Sequence, residues 1–540
     1  MRVSHPMSRA RATARSESGI TMIVVLIMML ITSLLLVAAY TAAIGDTHLS
    51  HADLTQKQAY YAALAGVQEY EYQLEANPDY WEKCEGLSKT VSGEKSESFE
   101  VTPLAASSDP EVESEPKKCK AANPFKTMIE SKGSLANTFR VKSVGSTGTS
   151  KRTLIATFQV AGFLDYIYFT QYEDRDPQSH NGSKEEEEKC TNYRSVRSAL
   201  GALSKCGTIY FGSSDSVNGP MHTDDTSVVC GGVEFGRASR LAESEPDAVE
   251  MNGGAESGSC GSGSAKYNTT SGKPETKGPE LVAPESDGSL KAYVEHEPQQ
   301  NEFSGRTTLV LEGEKTPAKI KVTTVENGKN VEKSIEWPKN GLIYVKSNES
   351  GCEYTEFSQE NTDTNTTYKK EENCGSVYVK GTYSSSLTIA AEEDLIVNGN
   401  ILPVGVTAGK APSSSSTTTL GLIATRFVRI YHPCTSGYGG GNTSGSAGSY
   451  IENPWIYAAI LSTSHSFLVD NYSCGNGMGN LGVYGAIAQK FRGIVGQLGG
   501  SGYEKEYVYD ERLATDEPPY FLAPLKAGWK IARLTAASPG

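Results

Sequence analysis

The feature that most constrains this chain is an uncharged, apolar run near its N-terminus, between Glu17 and Asp46. Its apolar part, residues 20–44, is about 25 residues long, and a helix of that length crosses a hydrocarbon core of roughly 30 Å. The apolar core of a signal peptide is shorter, at about 7 to 15 residues, and a core helix of a soluble protein rarely lacks a polar face over such a length. The run therefore predicts a membrane-spanning helix.

The charges on either side of the run predict its orientation. Arg2, Arg9, Arg11 and Arg15 precede it, whereas Asp46 follows it. Positive charge is retained on the cytoplasmic side of a membrane. Because no second run of this kind follows in the sequence, we expect a single-pass cell-membrane protein with a cytoplasmic N-terminus and its bulk at the cell surface.

The remaining sequence is acidic and contains ten cysteines. The net charge of -14 argues against a nucleic-acid partner, because phosphate binding needs clustered Lys and Arg. The cysteines all follow the apolar run, and their even number predicts disulfides in an oxidising compartment. The sequence leaves their connectivity open. Pairing of sequence neighbours would join Cys84 with Cys119, Cys190 with Cys206, Cys230 with Cys260, Cys352 with Cys374, and Cys434 with Cys474.

The helix is expected to continue beyond the membrane as an amphipathic segment. Apolar residues recur at roughly helical spacing at Leu54, Ala62, Leu64, Ala65, Val67 and Leu74. Asn77 and Pro78 should end the helix just after Leu74, because the residue before a proline is pushed out of the helical region. The pattern predicts one rod of about 55 residues, apolar in its first half and amphipathic in its second.

Two stretches of this rod resemble a known family. The leader that ends in Gly19, followed by an apolar run that begins at Ile20, resembles a type IV prepilin N-terminus. More narrowly, the run and the alanine-rich segment from Ala59 to Gly66 resemble the N-terminal region of PilX-type pilus-assembly proteins. The resemblance implies that a prepilin peptidase cuts between Gly19 and Ile20. It also implies pilus-assembly components and other pilin-like subunits as partners.

One position departs from the major-pilin pattern. Val24 stands where the mature major pilin usually carries a glutamate, which is understood to pair with a neighbour's N-terminal amine inside the apolar fibre. PilX-type sequences often lack this glutamate as well. The resemblance therefore implies a minor or accessory pilus subunit, with a small sheet packed against the amphipathic half of the helix.

The exported part is predicted to be mainly β. Short β-branched or aromatic runs such as "GLIYVKS" and "LGLIATRFVRIYHP" are broken by turn residues without helical patterns between them, which leaves a sandwich, a barrel or a β-solenoid. Leu387, Ile389, Leu395 and Val397 alternate around a polar turn, as in one coil of a stacked β-helix. We therefore expect a β-helix or β-solenoid, with a β-sandwich as the alternative.

These patterns divide the chain into five segments. They are a basic cytoplasmic leader, a transmembrane and amphipathic helix, a small α+β or β pilin-like region, a β-rich extracellular domain and a C-terminal tail. Their expected bounds are residues 1–19, 20–76, 77–165, 166–525 and 526–540.

Three kinds of segment inside the exported part are predicted from composition. The charge run "EEEEK" at 185–189 predicts a solvated loop. Gly- and Ser-rich stretches near 253–288, 407–419 and 435–448 predict loops or insertions. The Pro- and aromatic-rich stretch 502–524 resembles the ends of large PilX-like proteins, which implies a cap on the β-helix.

The best candidate for a polar site is the sequence "VNGPMHTDD", in which His222, Asp224 and Asp225 could bind a metal or act as acid and base. The favoured interpretation is structural, because Asn-Gly-Pro forms tight turns and Asp and Thr beside it satisfy backbone donors. His432 and His465 are isolated and are expected to be surface or packed residues. No catalytic residue, metal or cofactor is therefore predicted.

The sequence thus favours a non-enzymatic, pilin-like surface protein that presents a large β domain for a role such as adhesion. One alternative is an anchored extracellular carbohydrate-active β-helix enzyme that uses the polar site at His222. Another is a plain cell-wall-binding ectodomain, in which Gly19 would not be processed.

Overall fold

The structure is a computed structural model, and it is mostly β with one long N-terminal helix. For residues 20, 21 and 42–52 it describes the backbone alone. The described residues are 20–77, 79–91, 96–105, 128, 138–180, 182–241, 246–294, 301–326, 328–354, 372–432, 451–497, 500–514, 516–525 and 528–536. The chain forms two compact units, residues 1–158 with 531–540, and residues 159–530.

Helix α1, Ile20–Ala76, runs without interruption from the apolar segment into the amphipathic one. Within it, Met22–Thr41 is long and apolar enough to cross a membrane, with a mean hydropathy of 2.9. The large apolar side chains of this stretch are all exposed. The helix ends two residues beyond the predicted Leu74, directly before Asn77, whereas Pro78 lies outside the described residues.

The first unit contains a five-stranded sheet in the order β1-β2-β3-β4-β28. Its strands are β1 Leu87–Thr90, β2 Glu97–Pro103, β3 Thr138–Thr147, β4 Ser150–Val160 and β28 Trp529–Ala536, and a 3₁₀ helix spans Tyr80–Lys83. The expected tail at 526–540 is thus a strand over most of its described length, because its residues 529–536 pair beside β4. The second unit is an insertion between β4 and β28.

Small residues bring α1 and this sheet into direct backbone contact. Ala59 and Ala63 are fully buried, and a Cβ on Gly145 of β3 would lie 2.1 Å from the Ala59 carbonyl oxygen and 2.2 Å from the Ala63 nitrogen. The Ser143 hydroxyl donates a hydrogen bond of 2.7 Å to the Ala63 carbonyl. The predicted apolar stripe is wrong at Leu54, which is 54% exposed, because the sheet packs on the alanines instead.

Aromatic rings complete the core of the first unit below the alanines. Tyr70 of α1 is fully buried and packs against Phe139 and Phe158 with ring centroids 6.3 and 5.8 Å away. Phe139 stacks on Phe158 at 5.2 Å. Since helix and sheet both contribute rings, the amphipathic half of α1 is a structural part of this unit.

The second unit is built from short strands. They are β5 Tyr168–Arg175, β6 Tyr210–Phe211, β7 Ser216–Asn218, β8 Met221–Thr223, β9 Ser227–Val229, β10 Glu234–Phe235, β11 Val249–Met251, β12 Ala255–Ser257, β13 Lys266–Tyr267, β14 Glu302–Ser304, β15 Thr307–Glu312, β16 Lys319–Glu326, β17 Lys329–Ile335, β18 Leu342–Lys346, β19 Val377–Tyr383, β20 Leu387–Ala391, β21 Leu395–Pro403, β22 Leu420–Ala424, β23 Val428–Ile430, β24 Trp455–Ser462, β25 Phe467–Val469, β26 Gly477–Arg492 and β27 Gly502–Tyr509. Short helices are Phe163–Asp165, Pro177–His180, Lys184–Cys190, Arg194–Ala199, Leu203–Cys206, Ala238–Arg240, Gly288–Leu290, Lys291–Val294 and Glu511–Ala514.

Most of these strands pair in parallel ladders. The longest runs β14-β18-β20-β22-β24-β26-β5-β8-β11. A second runs β15-β19-β21-β23-β25, a third runs β26-β27-β7-β10-β13, and a short one runs β6-β9-β12. The antiparallel hairpin of β16 and β17 covers the outer edge of β15.

The chain does not follow the longest ladder from end to end. It enters at β5 in the interior, proceeds through β8 to β11, and then returns along the ladder through residues 276–294, here called the crossing segment. It resumes at β14, the opposite end, and advances strand by strand to β26, which pairs with β5. The last strands of the second unit therefore lie directly beside its first strand.

The core of the second unit is a continuous set of inward-facing apolar side chains from the ladders. Leu387, Ile389, Leu395 and Val397, which the sequence placed inside a coil, are all fully buried in it. The other side of the longest ladder is covered by the crossing segment, whose Leu281 and other apolar residues are buried against outward-facing residues of the strands. Both sides of this ladder are therefore buried.

Three disulfides lie between described residues of the second unit, and each joins sequence neighbours. They are Cys190–Cys206, Cys230–Cys260 and Cys352–Cys374. Cys84 and Cys474 are disulfide-bonded as well. Cys119 and Cys434, their sequence neighbours, lie outside the described residues.

Two predictions about loops and one about a cap need correction. The run at 185–189 lies in the helix Lys184–Cys190, because Ser183 and Glu186 form a capping box at its N-terminus. Strands β12 and β13 form within 253–288, although 407–419 contains no strand and 435–448 lies outside the described residues. Residues 502–509 form the interior strand β27, so this part of the stretch is not a cap.

Candidate functional site

Parallel register places His222 in the middle of a row of side chains. His222 on β8 is paired with Phe169 on β5 and with Glu250 on β11. In a parallel ladder, residues paired in this way point to the same face of the sheet. The imidazole stacks on the Phe169 ring, with centroids 5.7 Å apart and an interplanar angle of 9°. His222 is completely buried.

Two carboxylates hold the imidazole from opposite sides. His222 Nδ1 lies 2.7 Å from Glu250 Oε2, and His222 Nε2 lies 3.0 Å from Asp224 Oδ1. The Tyr166 hydroxyl donates a further hydrogen bond of 2.9 Å to Glu250 Oε2. The structure thus brings together two of the three predicted site residues, His222 and Asp224.

The two carboxylates keep the His222 ring charged. Burial opposes the charge, but hydrogen bonds to Asp224 and Glu250 together with their negative charges outweigh it and raise the pKa of His222 to about 9. A protonated imidazole with both nitrogens occupied cannot accept a proton from a substrate or bind a metal. The arrangement therefore suits a buried ion-pair lock better than acid–base catalysis.

The crossing segment closes the site from outside. The side chain of Asn252 makes two hydrogen bonds with the Gly278 backbone. Asn252 Nδ2 donates to the Gly278 carbonyl at 3.1 Å, and Asn252 Oδ1 accepts from the Gly278 amide at 2.8 Å. A Cβ on Gly278 would lie 2.6 Å from His222 Cε1, so only glycine allows the segment to pass this close. The cluster at His222 therefore fastens the crossing segment to the ladder.

Asp225, the third predicted residue, points into a different environment. Its Oδ2 accepts hydrogen bonds from Arg197 at 2.8 Å and from the Glu173 amide at 3.0 Å. Its Oδ1 accepts from the Arg194 amide at 2.6 Å, at the first turn of the helix Arg194–Ala199. Asp225 satisfies backbone donors and one buried arginine, as the structural interpretation of this motif expects.

Two other clusters among the described residues carry no chemistry that we can assign. Asp174, Cys190 and Cys206 lie within ligand distance of one another, but both sulfurs belong to one disulfide and cannot bind a metal. His465 and Ser466 both bind Asp176, at 3.1 and 3.0 Å, so the serine is not paired with the imidazole as a nucleophile would be.

His432 and His465, predicted to be surface or packed residues, are packed. His465 stacks on Phe427 with ring centroids 4.6 Å apart. The Nδ1 of His432 lies 3.0 Å from the Asp470 carbonyl, and burial lowers the pKa of His432. Both histidines are buried, so neither ring is accessible as a ligand site.

Sequence reasoning missed Glu250, Tyr166 and Gly278. Glu250 lies 28 residues from His222, and the two meet only because β8 and β11 pair in register. The same spacing separates Asp224 from Asn252, whose Nδ2 donates a hydrogen bond of 3.3 Å to Asp224 Oδ1. The recurrence of this spacing is the signal that could have revealed the pairing.

The predicted processing site is only partly within the described residues. Gly19 lies outside them, and Ile20 is the first residue of α1, with its side chain not described. Val24, four residues on, is 49% exposed on the apolar half of the helix.

Comparisons with known proteins find matches among the solved structures alone. No protein-family model and no curated protein matches the sequence. The crystal structure of the competence-associated pilin ComZ from Thermus thermophilus matches 89% of this chain and 97% of its own, at 10% sequence identity and a TM-score of 0.25. A TM-score this low does not establish a shared fold.

Proposed function

We propose that this chain is a membrane-anchored, type IV pilin-like surface protein of the PilX type, with a minor or accessory role in pilus assembly. The observation that carries the proposal is the continuity of α1. One helix supplies both an exposed apolar segment, Met22–Thr41, and the face on which an antiparallel sheet is built. A plain signal anchor has no need for a rod that is integral to its first exported domain.

In this proposal the second unit is a β-helix displayed outside the cell, with adhesion as its role. The parallel ladders support a β-helix over a sandwich, because sandwich sheets are antiparallel whereas successive coils of a β-helix pair in parallel. The expected partners are the membrane, a prepilin peptidase and other pilin-like subunits.

The proposed role is non-enzymatic. Its support is the state of the one predicted polar site, since His222 is buried, charged and covered by the crossing segment. A carbohydrate-active enzyme would need an open cleft with a free acid and base. A hydrolase or lyase activity of the intact protein that His222→Gln abolished without unfolding would favour the enzyme instead.

The experiment that tests the proposal is N-terminal sequencing of the membrane-bound protein from cells with an active prepilin peptidase. The expected chain begins at Ile20, whereas Gly19→Leu should leave the full-length precursor. Ser18→Ala serves as the control and should be processed. A wild-type chain that retains Arg9 to Arg15 in such cells would contradict the pilin role and leave a simple anchored ectodomain.

A further inference from the structure

The first and last coils of the second unit meet at a buried cluster of charged side chains. The parallel register pairs Glu506 of β27 with Ser216 of β7, so the preceding residues, Lys505 and Asp215, also face each other. Lys505 Nζ lies 2.6 Å from Asp215 Oδ2. Their side chains are only 11% and 5% exposed. The contact joins residues separated by 290 positions in the sequence.

The local backbone holds the Asp215 carboxyl in place. Asp215 Oδ2 also accepts a hydrogen bond of 2.8 Å from the Gly212 amide, and the Asp215 amide donates to the Gly212 carbonyl at 3.1 Å. This tight turn precedes β7 and fixes the carboxyl on the side that faces β27. The amine and the carboxyl are therefore held together by two strands and a turn rather than by flexible loops.

A second ion pair and several aromatic rings surround this contact. Arg492 donates a hydrogen bond of 2.9 Å to Glu173 Oε2, and its guanidinium lies 3.6 Å from the centroid of the Phe211 ring. Arg492 and Glu173 are both 1% exposed or less, and Tyr507 of β27 is buried as well. The cluster is thus removed from water. A charged amine is poorly solvated in such a buried site.

The surroundings disfavour the charged form of Lys505. Burial lowers the pKa of Lys505, and the nearby charge of Arg492 lowers it further against the attraction of Asp215. Lysine amines become nucleophilic when they are desolvated or lie next to another cation. Transfer of one proton from the ammonium to the carboxylate converts the ion pair into an amine and a carboxylic acid without any outside proton donor.

We propose that Lys505 and Asp215 condense into an intramolecular isopeptide bond that covalently joins the last coil to the first. In this step Lys505 Nζ attacks Asp215 Cγ and forms a C–N bond. The C–O bond to one carboxyl oxygen breaks, and that oxygen leaves as water with one proton from the carboxyl and one from the amine. Nothing is oxidised or reduced, and no co-reactant is needed.

Such a bond would join two strands of the second unit that are 290 positions apart in sequence. Most other neighbouring strands are close in sequence, and the disulfides between described residues join positions 16 to 30 apart. An amide between Lys505 and Asp215 would prevent the last coil from separating from the first. Unlike a disulfide, it would also withstand reduction.

The test is peptide mapping of the full chain, purified in detergent, unfolded, reduced, alkylated and digested with trypsin. Trypsin does not cleave after an acylated lysine, so the amide predicts one branched peptide made of residues 206–237 and 493–512. Its mass should equal the sum of the two segments less one water. Recovery of a free 206–237 peptide together with cleavage after Lys505 would overturn the proposal and leave an ion pair.

Variants of the two residues give an independent check. Lys505→Arg keeps the charge but should abolish the branched peptide. Asp215→Asn should give a branched peptide of the same mass as wild type, because ammonia leaves instead of water. The internal control is Lys266 with Glu234, whose atoms lie 2.9 Å apart on the surface at 59% and 41% exposure and should remain unlinked. A linked control pair would also overturn the argument from burial.

Discussion

Asp287 on the crossing segment should make the second unit less stable as the pH rises. Its side chain is completely buried and accepts hydrogen bonds on Oδ1 from the Thr425 hydroxyl at 3.0 Å and the Tyr344 hydroxyl at 3.3 Å. Burial raises the pKa of Asp287 to about 7, although these hydrogen bonds oppose the shift. The folded chain therefore holds a proton that the unfolded chain has already released.

The sign and size of the effect follow from proton linkage. Because the pKa is raised in the folded state, the unfolding free energy decreases as the pH rises from about 4 to 7. Three pKa units at 1.36 kcal/mol each give an upper limit of about 4 kcal/mol, of which about 2 to 3 kcal/mol falls between pH 5 and pH 8. Asp287→Asn keeps the acceptor oxygen but cannot ionise, so this part of the pH dependence should vanish.

The assay is urea-induced unfolding of the intact protein in detergent, followed by tryptophan fluorescence at pH 5, 6.5 and 8. Wild type should lose more stability than Asp287→Asn between the first and last pH. Asp53→Asn, a change at an acid that is 64% exposed, is the control and should behave as wild type. Equal pH dependence of wild type and Asp287→Asn would show that the buried carboxyl is not protonated and refute the reasoning.

Two further predictions concern the first unit and the lock at His222. Gly145→Ala should cost about 3 kcal/mol of unfolding free energy, because its Cβ would overlap backbone atoms of Ala59 and Ala63. The control Gly162→Ala should cost little, since the atom nearest to its Cβ lies 3.8 Å away. Equal losses of stability in thermal unfolding would contradict the close packing at Gly145. His222→Leu should cost about 3 kcal/mol near pH 7, because it leaves two buried carboxylates without their cation. Since the pKa of His222 is raised to about 9, the difference from wild type should shrink as the pH rises through 9, and a constant difference would contradict a charged ring.

Local patterns in the sequence predicted the elements that depend on local physics. The apolar run and its amphipathic continuation predicted the C-terminal end of α1 to within two residues, because helical spacing and a proline are both readable in one window. The helix Lys184–Cys190 was not predicted, because the charge run was interpreted as a solvated loop although the capping box Ser183 with Glu186 indicates a helix start.

The partners in the site could not be predicted in the same way. His222 and Asp224 are two residues apart, but their functionally decisive neighbours, Glu250 and Gly278, arrive from another strand and from the crossing segment. Whether a histidine between acids is a catalytic base or a buried cation depends on such neighbours, because they determine its pKa and its access to solvent. Sequence spacing alone fixes neither quantity.

The order of strands in the second unit explains how so large a domain can be inserted into a small sheet. Strands β4 and β28 are neighbours in that sheet, so an insertion between them must begin and end close together. A stack that the chain followed from one end to the other would separate its first and last strands by its full length. Here β5 pairs directly with β26, and the Ala161 amide donates a hydrogen bond of 2.9 Å to the Gly528 carbonyl. The crossing segment is the structural consequence, because a chain that starts and ends in the middle of a stack must once travel back along it. Its anchoring at Asp287 and near His222 is therefore required by the insertion itself, whatever the second unit binds.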